Sequence, residues 1–150
     1  MKMPVPTPMR HALDLAAQAA AADEVPVGAV IMRGSEVVAA VGNAMHGGLD
    51  PTAHAEILAI RAACEKLGDG RLMGCDLWVT LEPCAMCAAA ISHARIDRVY
   101  YAASDPKGGA IEHGPRWFDQ PTCHHRPEVY AGLGEMEAAA QLRAFFTARR

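Results

Sequence analysis

The chain reads as one α/β domain, a sheet with a parallel portion and helices packed on its faces. Three observations lead there. Strand-like and helix-like segments alternate along the chain, the pattern of layered sheet and helix. Hydrophobic residues make up 51% of it, which places it among globular proteins. Its 150 residues are enough for one domain with a sizeable core and too few for two.

Taken in order, residues 7–23 are expected to form a helix, with Thr7-Pro8 at its start and Leu13, Ala16, Ala17 and Ala20 on one side. Val25-Pro26 ends it. Val27 to Met32 and Glu36 to Val41 read as antiparallel strands joined by the turn Arg33-Gly34-Ser35. A loop from Gly42 to Thr52 leads into a second helix, about Ala53 to Leu67, with Ile57, Ile60, Cys64 and Leu67 on one stripe. Gly68-Asp69-Gly70 stops it. Asp76 to Leu81 reads as a buried strand, and Pro83 opens a third helix through Ala94. Ile96 to Ala102 is a further strand. Ser104 to Tyr130 is long for a structureless loop, so a short helix is expected within it. A last helix spans Glu135 to Ala148, with Ala138, Leu142, Phe145 and Phe146 inward.

Composition narrows the function classes. No stretch approaches the roughly 20 apolar residues of a membrane span, and Met1-Lys2-Met3-Pro4-Val5-Pro6 lacks the apolar run of a signal peptide. Five cysteines, an odd number, argue against a disulfide framework and for a reducing, cytoplasmic setting. The net charge of −3 argues against indiscriminate binding of nucleic acid. The charge is unevenly spread, with 6 basic and 10 acidic side chains in residues 1–90 but 8 basic and 7 acidic in 91–150. A polyanion would favour the second part.

The chemistry concentrates in two short motifs, His54-Ala55-Glu56 and Pro83-Cys84-Ala85-Met86-Cys87. Cys84 and Cys87 lie three apart at a helix start, so their sulfurs share a face, and the positive helix end favours thiolates. With His54 in the first turn of the neighbouring helix, three ligands could grip a zinc ion and leave its fourth position to water. Glu56 would stand beside the metal as a proton carrier. Two other readings compete. Cys123, His124 or His125 could close the site as a fourth ligand, or the Cys-x-x-Cys pair could be redox-active, which leaves His54 and Glu56 without a role.

On these residues the chain resembles the cytidine/deoxycytidylate deaminase superfamily, whose zinc signature is H-x-E followed by P-C-x-x-C. Within it the similarity is closest to the bacterial tRNA-specific adenosine deaminases. It extends over Glu24 to Val30, Gly42-Asn43, Thr52 to Ile57, Val79 to Cys87, Ile91 to Arg98 and Asp105 to Gly109. The resemblance implies a three-layer α/β/α fold with a five-stranded mixed sheet, and a homodimer with active sites near the interface. It implies one zinc per subunit on His54, Cys84 and Cys87, with Glu56 as the catalytic acid and base. It implies conversion of the wobble adenosine of an arginine tRNA to inosine, with the anticodon loop as partner. Asn43, Ala55, Asp105 and Lys107 are implied as substrate contacts. Arg149 and Arg150 could meet RNA or simply match the helix dipole. A deaminase of free guanine, cytosine or cytidine would use the same zinc machinery, and a non-catalytic zinc module would leave Glu56 idle. The stretch Pro121-Thr122-Cys123-His124-His125-Arg126 reads as a packed loop with incidental histidines.

Overall fold

Gly34 and Ser35 turn the chain between two strands, β1 (Gly28–Arg33) and β2 (Glu36–Gly42), which pair antiparallel with Arg33 opposite Glu36. Gly34 takes a φ of 61°, which this two-residue turn requires and which glycine adopts without strain. The other edge of β1 pairs antiparallel with β3 (Cys75–Leu81). From there the sheet runs parallel, through β4 (Arg98–Ala103) to β5 (Glu128–Ala131), in the order β2-β1-β3-β4-β5. The sheet is therefore five-stranded and mixed, as expected. These coordinates are a computed structural model that describes residues 4–149; Met1 to Met3 and Arg150 lie outside the described residues.

Helices α1 (Thr7–Ala21) and α4 (Glu135–Thr147) cover one face of the sheet. Helices α2 (Ala55–Leu67) and α3 (Ala85–Ala94) cover the other. The strands serve both faces by alternation. Leu77, Val79, Val99 and Tyr101 join the larger core under α2 and α3, while Val30, Met32 and Ala102 join the smaller one under α1 and α4. The latter face also carries a stacked ladder of Trp78, Tyr100 and Tyr130 across β3, β4 and β5.

The expected helix faces need three corrections. In α1 the buried residues are Met9, Ala12, Leu13, Ala16 and Ala19, so Ala17 faces solvent. In α2 the buried stripe is Ala55, Glu56, Ala59 and Ala63, whereas Ile57, Ile60, Cys64 and Leu67 lie half-buried beside it. Small residues bring this helix close to the sheet, and its larger side chains are pushed to the flank. Phe146, expected inward, is 48% exposed. Within 104–130 the short helix is a 3₁₀ turn, Trp117–Asp119, and the residue pattern alone did not suggest β5.

Gly28 lets α1 lie directly on β1. A Cβ there would fall 2.0 Å from the Ala12 carbonyl oxygen, and neither backbone can yield independently. Gly28→Ala is therefore expected to cost about 3 kcal/mol, at the upper end of ordinary overpacking. For a chain of this length that lowers the thermal midpoint by roughly 10 °C, measurable by calorimetry. An unchanged midpoint would show that α1 shifts freely.

The topology gathers the ends that matter at one edge of the sheet. The carboxyl ends of β3 and β4, the end of β2, the start of β1 and the starts of α2 and α3 all meet there. In open α/β sheets, ligands bind beyond the carboxyl ends of the parallel strands.

Candidate metal and catalytic site

His54 and Cys84 are the N-cap residues of α2 and α3, one step outside the positions expected from sequence. Pro83 accordingly precedes the cap rather than opening the helix. Both caps have extended backbones, and neither side chain makes the usual capping hydrogen bond. Caps are usually Ser, Thr, Asp or Asn, whose side chains bind the free N–H groups of the first turn. An imidazole and a thiol at these positions are free to point elsewhere, and here they point at each other. His54 Nδ1 lies 3.6 Å from Cys84 Sγ and 3.5 Å from Cys87 Sγ.

Those distances suit a tetrahedral metal. Zinc bonds of about 2.0–2.1 Å to nitrogen and 2.3 Å to sulfur, at a tetrahedral angle, separate the two atoms by roughly 3.6 Å. All three candidate ligand atoms lie within 4.8 Å of one another, and among the described residues no fourth His, Cys, Asp or Glu joins the group. One nitrogen and two sulfurs make a donor set that zinc favours over magnesium or calcium.

The closed-site reading fails on the candidates it named. Cys123 Sγ lies 3.5 Å from Ser92 Oγ and donates to the His125 carbonyl oxygen at 3.2 Å. The His125 ring meets the Ile96 carbonyl oxygen through Nε2 at 2.7 Å, and Ser92 Oγ donates to the His125 carbonyl oxygen at 2.8 Å. These bonds latch the 121–126 loop to the end of α3. His124 is exposed and outside the cluster.

The electrostatics of the thiol pair are asymmetric. The Cys87 thiol donates to the Cys84 sulfur, which together with His54 brings Cys84 down to about 5 against its own burial. Holding that proton, and being buried, Cys87 is pushed far up. Glu56 is almost wholly buried, and desolvation raises its carboxyl to about 7. A group with that pKa can both take and give a proton at neutral pH.

A cavity of about 200 Å³ lies over these groups, lined by Asn43, His54, Glu56, Glu82, Cys84, Asp105 and Gly108, with Val25, Val27, Met45 and Leu81 as apolar walls. Asn43 Oδ1 accepts the Ala55 N–H at 2.7 Å, so its amide oxygen is committed to α2 and its NH₂ is left to donate into the cavity. Ala55 is placed differently from expectation. Its side chain is fully buried and its N–H is given to Asn43, so it anchors Asn43 and does not line the cavity. Asp105 lines the cavity while its Oδ1 accepts the N–H groups of Lys107 and Gly108 at 3.2 and 3.0 Å. Lys107 lines a second, wider cavity of about 720 Å³ with Leu142, Phe146 and Arg149, and the two cavities share Val25, Leu81 and Asp105. Arg149 lies over the Phe145 ring and pairs with Asp23.

Two buried carboxylates escaped the sequence reading. Glu24 accepts the N–H groups of His46 and Gly47 at 3.1 and 2.8 Å, holding the loop after Asn43. Glu82 does the same for the loop after β4. Either could have been flagged as a charged residue next to an apolar strand, since a buried charge demands partners.

Comparison with known proteins gives a consistent picture. Residues 6–103 match the cytidine and deoxycytidylate deaminase zinc-binding region. A tRNA-specific adenosine deaminase of Agrobacterium fabrum is 59% identical over 142 residues, covering 95% of this chain and 93% of that protein. A solved structure from work on A-to-I editing by tRNA deaminases at the wobble position superposes with a TM-score of 0.89 at 59% identity, over 90% of this chain and 98% of the other. A guanine deaminase from Nitrosomonas europaea superposes with a TM-score of 0.82 at 26% identity, over 97% of this chain and 87% of the other.

Proposed function

The chain belongs to the cytidine and deoxycytidylate deaminase family, and from that membership we propose that it deaminates adenosine to inosine at the wobble position of an arginine tRNA. One observation carries the reading. Glu56, Asn43 and the ligand pair His54 and Cys84 line one small cavity, and that cavity shares walls with a larger one bearing Lys107, Phe146 and Arg149. A free base needs only the first; a nucleotide within a strand uses both. The kinship with the Agrobacterium fabrum enzyme supports the same choice.

His54, Cys84 and Cys87 would hold one zinc ion per chain, which would supply a Lewis acid beside the base and lower the pKa of a bound water from about 15.7 to about 7. Glu56 takes one proton from the attacking water and delivers it to N1 of adenine, which makes C6 electrophilic as the water oxygen bonds to it. Glu56 then takes the second proton of that oxygen and passes it to the amine, so the C6–N bond breaks, ammonia leaves and a C6 carbonyl remains. Asn43, its oxygen fixed by Ala55, donates its amide N–H to the ring. Val27, Met45 and Leu81 keep bulk water from the reacting atoms.

Lys107 meets phosphate, Asp105 the sugar, and Phe146 offers a face on which a neighbouring base can stack. The anticodon loop presents unpaired bases, so extruding one costs little. A chain of net charge −3 can bind it with few phosphate contacts. The whole chain acts as one catalytic domain, in the cytoplasm where tRNA is found. Among the described residues no helix is long and apolar enough to cross a membrane. The half-buried Ile57 and Ile60 of α2 flank Ala90 and Ala94 of α3, a surface suited to pairing two chains as a homodimer, which sedimentation velocity would detect.

The deciding experiment offers an arginine tRNA with adenosine at the wobble position, and separately free guanine, cytosine, cytidine and adenosine. Inosine in the tRNA alone is expected. Ammonia from guanine with the tRNA untouched would assign the free-base reaction instead.

Asn43→Asp separates binding from structure. The carboxylate still accepts the Ala55 N–H, so the thermal midpoint is expected to hold. The donor to the base is lost and a charge faces the ring, which is expected to lower kcat/KM by about 10²-fold.

A further inference from the structure

Glu82 has no part in the chemistry above, yet its side chain is completely buried between β3 and the ligand Cys84. Its carboxylate gathers one loop around itself. Oε1 accepts the Asp105 N–H at 3.0 Å and meets His113 Nδ1 at 2.7 Å. Oε2 accepts the N–H groups of Ile111, Glu112 and His113 at 3.1, 2.9 and 3.2 Å. A carboxylate offers about four lone-pair sites, and these five contacts use all of them. Glu82 therefore has no acceptor left for a ligand, although it lines the small cavity.

The loop is shaped to fit. A Cβ on Gly109 would lie 2.5 Å from the Glu82 carboxyl carbon and 2.5 Å from the Asp105 carbonyl oxygen. Only glycine lets the chain pass this close. The next residue, Ala110, donates its N–H to the Pro83 carbonyl oxygen at 2.9 Å. The segment that displays Asp105, Lys107 and Gly108 to the two cavities has no regular secondary structure of its own: Glu82 pins it at both ends, and the Asp105 carboxylate turns the stretch between.

We propose that Glu82 is a positioning residue for the substrate. It sets the 105–113 loop, and through that loop it governs affinity for the nucleotide rather than the chemical step. Its neighbours His54, Glu56, Cys84 and Cys87 carry the chemistry and bond to other partners. Loss of Glu82 should therefore appear in KM and spare kcat. The kinetic part of this proposal rests on the tRNA reading above; the structural part does not.

Glu82→Gln keeps the shape of the side chain but sets an NH₂ group against at least one loop N–H in either orientation of the amide. It is expected to raise KM for the arginine tRNA about tenfold, with kcat changed by less than about twofold. Bound zinc should equal that of the parent. Gly109→Ala, which crowds the intact carboxylate, is expected to give the same split. Hydrogen exchange at the amides of Ile111, Glu112 and His113 should quicken in both variants, with α2 and α3 unaffected. An unchanged KM with zinc retained overturns the proposal, and so does loss of zinc, which would make Glu82 part of the metal frame. If the parent itself leaves the tRNA unedited, the functional reading falls; exchange then decides the positioning role, and unchanged rates at the three amides overturn it.

Discussion

Glu56→Ala is expected to lower kcat by at least about 10⁴-fold while zinc remains bound. General acid–base catalysis contributes about 10²–10⁴-fold, and Glu56 serves several proton transfers in one turnover, so the loss should reach the top of that range or pass it. The zinc ligands do not depend on it, because His54, Cys84 and Cys87 group without Glu56. Stability should not suffer either. Burial disfavours the charged form of this carboxyl in the metal-free chain, so its removal forfeits no charge-based stability there. Steady-state kinetics, metal analysis and a melting curve at neutral pH test all three points. Turnover within tenfold of the parent in a zinc-replete variant would take Glu56 out of the mechanism.

Removing the metal should have the other largest effect. Chelation is expected to abolish activity, and added zinc to restore it in the parent but not in His54→Ala or Cys87→Ala. The thiol pair also dictates how binding depends on pH. Cys84 is ionised above about 5, whereas Cys87 keeps its proton through the neutral range, held by Cys84 and by burial. Zinc must expel that proton, so affinity should rise about tenfold per pH unit near neutrality. Toward lower pH, where the Cys84 proton must leave too, the dependence should steepen further. Zinc titrations between pH 4.5 and 8 measure the slope. A flat profile would mean that both thiols are already ionised before the metal arrives.

The grouping of His54, Cys84 and Cys87 was legible because its signal is local. A histidine, two cysteines three apart and a proline before them survive any uncertainty about helix ends, and the alternation of strands and helices was enough to bring the two helix starts together. What escaped depends on distance along the chain. Nothing around Glu82 foretells that its partners lie 23 to 31 residues away. Nothing around Ala55 foretells that its N–H belongs to Asn43. The apolar stripe of α2 misled for a different reason. Periodicity tracks hydrophobicity, but close approach to the sheet selects small volume, and Ala59 and Ala63 won over Ile57 and Ile60. The strand β5 was missed because four residues, all but one exposed, leave almost no period to read.

Glu24 and Glu82 hold opposite rims of the pocket mainly through main-chain amides. Contour and lettering are thereby separated. Outward side chains on those rims, such as the exposed Lys107, do not set the curve of the backbone that carries them. An engineer seeking to retarget this scaffold toward another nucleobase or another strand can randomise such positions with little risk of collapse, so long as both anchoring acids and Gly109 are left untouched.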